Sequence, residues 1–236
     1  MNDNRDNVFF VKNIDAFIEP LISVIKNQAK QSLNLEKGKM GFVVFFYFCF
    51  RITSNNEYEK IANDLIDEIW GKISLETSFS DLTGIGIGVE YLIQNNFLEG
   101  DSDVILQEID SLLEKTLLFR QIKSIGFEKG ICRLGYYYYL RLKEKTENND
   151  NLQTLKNKLN LIRIVDWLED TIPYSTNQEI YDVYLLLVQI QSLNIINVKT
   201  NDLIKQCFSK LCFNEPIYNN YELLGIPALK IIQPWM

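Results

Sequence analysis

Three carboxylates, Glu90, Asp182 and Glu222, fall on or beside stretches that are otherwise apolar. Two carboxylates held close together can share general acid–base work. Charged groups are rarely buried without partners, so the same pattern is also met by salt bridges or solvated helix ends. The four cysteines are Cys49, Cys132, Cys207 and Cys212. Three thiolates can hold zinc, but Cys207 and Cys212 are five apart on one expected helix and point about 140° apart. Cys49 lies inside a wholly apolar run and fits a small core residue. Cys132 stands inside a repeated motif and is the cysteine to test for reactivity. There is no histidine, which removes the usual base, the usual metal ligand and the usual pH switch. No metal site and no cofactor is expected.

The balance of charge narrows the partners. In 236 residues, 24 Lys+Arg stand against 31 Asp+Glu, a net charge of −7. Without a basic block, such a chain lacks the phosphate neutralisation that supplies most nucleic-acid affinity. The N-terminal residues are polar and carry no signal-peptide pattern. The longest apolar run, 42–50, is far shorter than the roughly 20 residues of a membrane span. No CxxC occurs. These features point to a cytoplasmic protein with reduced thiols, not bound to a membrane, built as a single domain over 1–236 with residues 1–12 flexible.

The apolar periodicity is helical. Tyr58, Ile61, Leu65 and Ile69 recur at steps of three and four, as do Ile105, Ile109, Leu112, Leu113 and Leu117. Leu152, Leu155, Leu159, Ile162 and Val165 repeat the pattern. Ser54-Asn-Asn-Glu57 and Thr176-Asn-Gln-Glu179 read as capping boxes. Between these amphipathic stretches lie others, 42–52, 89–93, 136–142 and 183–193, that are apolar or aromatic nearly all round and therefore buried on every face. Alternation of the two kinds predicts an all-α chain with an inner and an outer layer. The aromatic clusters 45–48 and 136–139 point in too many directions to line one groove and fit packing between those layers.

A short motif precedes each buried stretch. It reads Gly38-Lys-Met-Gly41, Asp81-Leu-Thr-Gly84, Gly130-Ile-Cys-Arg133, a degenerate Gln178-Glu-Ile-Tyr181, and Gly225-Ile-Pro-Ala228. First positions at 38, 81, 130, 178 and 225 give a period of 43 to 49 residues, one helical hairpin per repeat. Gly84-Ile-Gly-Ile-Gly88 belongs to this repeat and lacks the strand that a dinucleotide loop needs. Lys39, Asp81, Arg133 and Tyr181 are polar or aromatic departures within the motif. With Glu90, Cys132 and Asp182 they define a candidate binding mouth where the inner helices begin, with Arg133 able to engage a carboxylate. The alternative is drift at loop positions, with Asp81 as a helix N-cap.

Gly38-Lys-Met-Gly-Phe-Val-Val-Phe-Phe-Tyr, Asp81-Leu-Thr-Gly-Ile-Gly-Ile-Gly-Val-Glu-Tyr-Leu-Ile-Gln-Asn and Gly130-Ile-Cys-Arg-Leu-Gly-Tyr-Tyr-Tyr-Tyr-Leu resemble repeats of lanthionine synthetase C-like proteins. The likeness is greatest to the versions found in bacterial peptide-maturation systems. It covers 38–142, with an echo at Gly225. It implies an α/α toroid-like array, here of about five hairpins where the family has seven, hence a contracted or incomplete α/α barrel. Active members carry zinc on two cysteines and a histidine, and the metal activates a peptide thiol for addition to a dehydrated serine or threonine. This chain has no Cys-His-Gly motif and no histidine. The resemblance therefore implies a non-catalytic member that binds a precursor peptide or partner enzyme in ribosomal-peptide maturation or export. Two alternatives stand beside it. One is a metal-independent enzyme using carboxylates at the mouth. The other is an oligomerisation module, a homodimer covering the apolar flank left by missing repeats.

Overall fold

The computed structural model describes residues 20, 22, 32–36, 38–145 and 151–211. Among these the chain is all helical, with no strand. Nine α-helices follow in order: α1 (Lys39–Thr53), α2 (Asn56–Trp70), α3 (Phe79–Gln94), α4 (Ser102–Ile105), α5 (Gln107–Leu118), α6 (Ile131–Lys143), α7 (Leu152–Thr171), α8 (Asn177–Gln191) and α9 (Asn197–Lys210). A 3₁₀ turn, Ile172–Tyr174, continues α7. The helical stripe expected from Ile105 to Leu117 is broken at Leu106, which is fully buried.

The two layers are the two kinds of helix seen in the sequence. α1, α3, α6 and α8 pack in succession as the inner layer, and α2, α5, α7 and α9 each pack on the inner helix of their own hairpin. Burial follows: ten of the fifteen α1 residues are buried, against four in α2. The inner helices run parallel. Near their starts Arg133 Nε of α6 donates to Thr83 Oγ1 of α3 at 2.8 Å. Near their ends Gln94 Nε2 of α3 donates to the Leu140 carbonyl of α6 at 2.8 Å. On the other side of α3, Phe48 of α1 meets Tyr91 with ring centroids 6.1 Å apart. At the next hairpin Asp182 of α8 accepts from the Phe127 amide, just ahead of α6, at 2.9 Å. α2 runs back along α1: Lys39 at the start of α1 pairs with Glu68 at the end of α2, and Tyr47 OH donates to Asn63 Oδ1 at 2.6 Å. Four hairpins lie within the described residues; the fifth motif, Gly225–Ala228, lies outside them, as do Cys212 and Glu222.

Two motif glycines have a common reason. Gly38 and Gly130 are the N-caps of α1 and α6, both extended, with φ/ψ of −121°/−172° and −113°/−171°. Neither cap has a side chain to offer the orphan amides of the first turn. The preceding loop supplies backbone carbonyls instead: Ser32 and Leu33 accept from the Lys39 and Met40 amides, and Ser124 and Ile125 accept from those of Ile131 and Cys132. The offset is seven residues each time. The loop backbone lies so close that a Cβ on either glycine would overlap it. The other two inner helices are capped by side chains, Ser78 for α3 and Thr176 for α8, the latter in a complete capping box with Glu179.

Three local expectations are corrected. Asp81 does not cap α3; Ser78 does, and Asp81 sits one turn inside, accepting from Ser78 Oγ at 2.7 Å. Asn55, not Ser54, caps α2; Ser54 closes α1 in the left-handed region with φ 55°. In α7 the buried face is rotated from the leucine stripe. Leu152, Leu155 and Leu159 are exposed while Thr154, Asn157 and Asn160 are buried, because the start of α7 turns its polar side toward the charged cluster described below.

Candidate functional site

The helix starts bring several of the expected site residues to one end of the bundle, and there the structure uses them on itself. Arg133 is fully buried. Its guanidinium grips Glu36 in two-pronged fashion, Nη2 to Oε2 at 3.0 Å with Nη1 on Oε1, and its Nε is spent on Thr83. One side chain of α6 thus holds α3 and the loop ahead of α1 together. The carboxylate expected for Arg133 is the chain's own.

Asp81 acts in the same way, a repeat earlier. It accepts from Ser32 Oγ at 2.5 Å, fixing the loop ahead of α1 to α3. Asp182 repeats the device in the next pair, with Oδ2 on the Phe127 amide and Oδ1 taking Gln178 Nε2, both at 2.9 Å. In both cases an acid in the first turns of an inner helix clamps the loop that opens an earlier inner helix. Lys39 is buried and paired with Glu68, whose carboxyl its hydrogen bond holds below the ordinary 4.5. Tyr181 is half-buried beside Asp182.

Burial pushes the Asp182 carboxyl above its ordinary 3.8, against the hydrogen bonds from Phe127 and Gln178. A carboxyl raised in the native state contributes most at low pH, and that contribution is lost as pH rises from 3.8 through the raised value. Asp182→Asn keeps an acceptor for Phe127 and removes the titration. The variant is expected to lie within about 1 kcal/mol of the parent near neutral pH. Unfolding free energy measured against pH should show the parent gaining on the variant as pH falls below neutrality.

Cys132 is not at an accessible mouth. It is fully buried, and burial, with Asp182, Cys207 and Glu179 adding to it, pushes its thiol well above the ordinary range. Cys207 is buried against α8 from the outer layer, its thiol pushed up to about 11, and Cys49 is 1% exposed in α1. A buried thiol kept protonated is a poor nucleophile. A colourless thiol reagent followed by mass spectrometry should leave all three unmodified in the native protein and label all three in denaturant.

Glu90 does not join the helix starts. It lies in the last third of α3, in a second charged cluster near the opposite end of the inner helices. At its centre is Arg141, 1% exposed, a residue that neither the repeated motif nor the apolar spacing singles out. Nη1 reaches Glu90 Oε1 at 2.5 Å and Ser102 Oγ at 2.7 Å; Nη2 reaches Asp103 Oδ1 and Asp110 Oδ2, both at 2.9 Å. Tyr137 OH donates to Asp110 at 2.5 Å and Gln153 Nε2 does so at 3.0 Å, while Lys145 and Asn151 hold Asp103. Burial opposes the Arg141 charge, but Tyr137, Asp110 and Glu90 outweigh it and keep the side chain protonated. The signal that could have found it is an arginine in the middle of an aromatic helix, which demands several acceptors.

The cluster separates the two carboxylates that a reactive pair would need, since Glu90 answers to Arg141 and Asp182 to the Phe127 amide. Among the described residues no three His, Cys, Asp or Glu side chains come together to hold a metal ion. The described donors do not fit zinc: Cys49, Cys132 and Cys207 are buried in separate helices, and the sequence has no imidazole. Gly84-Ile-Gly-Ile-Gly88 lies in α3 and serves packing; a Cβ at Gly86 would overlap the Tyr137 ring. Tyr137, Tyr138 and Tyr139 are buried between the layers. No helix among the described residues is long and apolar enough to cross a membrane.

Comparisons with protein-family models, with curated proteins and with solved structures find no match.

Proposed function

We propose that this chain is a non-catalytic protein of the lanthionine synthetase C-like kind, cytoplasmic, which binds a precursor peptide or a partner enzyme in a ribosomal-peptide maturation or export system. The observation that carries the proposal is how Asp81, Arg133 and Asp182 are spent. Each stands where the repeated motif opens an inner helix, and each is bonded to the loop of an earlier repeat. These three charged groups hold the hairpins together and are not free to activate a thiol or move a proton. The hairpin array itself presents extended loop and helix surface, which suits recognition of a chain segment.

The test is direct. The purified protein, with zinc added, is incubated with a linear peptide carrying one cysteine and one dehydroalanine, and loss of free thiol is followed. The rate should equal that in buffer with zinc alone. Accelerated thioether formation would overturn the proposal.

A further inference from the structure

At the end where the inner helices begin, an open groove of about 660 Å³ lies between the 71–78 loop, the second half of α5 and the 119–129 segment. Its floor includes Leu82 and Ile122, both buried, and its edges carry Leu75 and Phe119, 84% and 73% exposed. Arg120, left-handed with φ 47°, ends α5 just after Phe119, and its guanidinium is turned away over the Trp167 ring. Large apolar side chains exposed together in one concavity mark an interaction surface.

The charge at this groove is opposite to that of the molecule. Lys115, Lys123 and Lys129 line it, and all three are exposed. None takes part in an ion pair among the described residues, and the residues lining the groove include these three lysines and no Asp or Glu. On a chain of net charge −7, three unpaired lysines around one apolar hollow form a local positive rim. Groups of this kind contribute little each when exposed, but they steer and select an oppositely charged partner.

We propose that this groove docks an acidic amphipathic peptide segment, with two or three apolar side chains in the hollow and Asp or Glu residues facing the three lysines. The proposal rests on the peptide-binding function above and names the chemistry of its partner. A hollow of this volume takes a few side chains, which a short helix or turn can present from one face.

The probe is a short fluorescein-labelled peptide with Leu and Phe at i, i+3, i+4 and i+7 and Glu or Asp elsewhere, beside a twin with every acid replaced by lysine. Binding is read by anisotropy at low and high salt. The acidic peptide should bind, more weakly at high salt, and the twin should not. Lys115→Glu/Lys123→Glu/Lys129→Glu should weaken it about tenfold or more. Leu75→Ser/Phe119→Ser should weaken it at both salt concentrations. All five positions are exposed, so the thermal midpoint should stay at the parent value and a loss reports binding rather than folding. Equal affinity for the basic twin would overturn the proposal. Affinity that both sets of substitutions leave unchanged would overturn the groove assignment while peptide binding stood. A concentration-dependent dimer that Phe119→Ser dissolves, with no peptide bound, would give the groove to a second copy and overturn it. Failure of the non-catalytic function is read separately, in the thioether assay.

Discussion

Replacing Arg141 by methionine is expected to lower stability by about 3–5 kcal/mol, because breaking a buried ion pair from one side leaves charge uncompensated. For a chain of this length that corresponds to a fall of roughly 10 °C in the thermal midpoint. The substitution is mild in volume, so the loss is electrostatic. Glu90, Asp103 and Asp110 converge on one guanidinium from α3, α4 and α5. Without it only Lys145, on Asp103, remains among them as a cation. Arg141→Lys retains the charge but not the fork, and cannot serve acceptors on four sides; an intermediate loss is expected.

The pH dependence supplies the sign. In the parent, Asp103 is held below its ordinary 3.8: burial opposes this, but Asn151, Lys145 and Arg141 outweigh it. Its contribution is present above 3.8 and is lost as pH falls through the lowered native value. Burial already holds Asp110 above its ordinary 3.8 with Arg141 opposing it, so removing Arg141 raises Asp110 further and the folded variant binds its proton more tightly than the unfolded chain. The gap between parent and Arg141→Met should therefore narrow on acidification, as measured by denaturant unfolding near pH 7 and near pH 5. A gap that widens would mean that the cluster is not organised around this cation.

The second large effect is at the other end of the inner helices. Glu36→Gln should cost about 3 kcal/mol, since it keeps one amide oxygen for the guanidinium but removes the charge and the second acceptor, leaving the wholly buried Arg133 uncompensated. Arg133→Met should cost a similar amount. The pair lies 97 residues apart in the chain, so the double variant isolates one tertiary tie. Its loss should be smaller than the sum of the singles, with a coupling of about 1–3 kcal/mol. Hydrogen exchange locates the damage. The Lys39 and Met40 amides are held by the Ser32 and Leu33 carbonyls of the loop that Arg133 pins through Glu36. Both amides should exchange faster in the single variants, while Ile131 and Cys132, capped by a different loop, change less.

The layers are legible in the sequence because they are a matter of pattern. Helices apolar all round form the inner layer, stripes form the outer one, and the motif falls at or near each inner helix start. The function of the motif is not legible, because it is relational. Gly130 shows as a glycine in sequence, but the carbonyls of Ser124 and Ile125 that require it come near only when the loop folds back. Arg133 reads as a free cation because Glu36 lies so far away in the chain. Asp81 reads as a cap because Ser78, three residues earlier, is a better one. Arg141 is hidden by the tyrosines around it. The face of α7 departs from its leucine stripe because Arg141, through Asp110 and Gln153, draws the polar side of that helix inward.

The measurement that bears most directly on these helix starts compares peptide affinity with stability in Asp81→Asn, Arg133→Lys and Asp182→Asn. If these residues are ties between repeats, all three variants bind the acidic peptide within about twofold of the parent, and Arg133→Lys loses stability. If any of them weakens the peptide about tenfold while its unfolding midpoint stays at the parent value, the helix starts are a binding mouth after all.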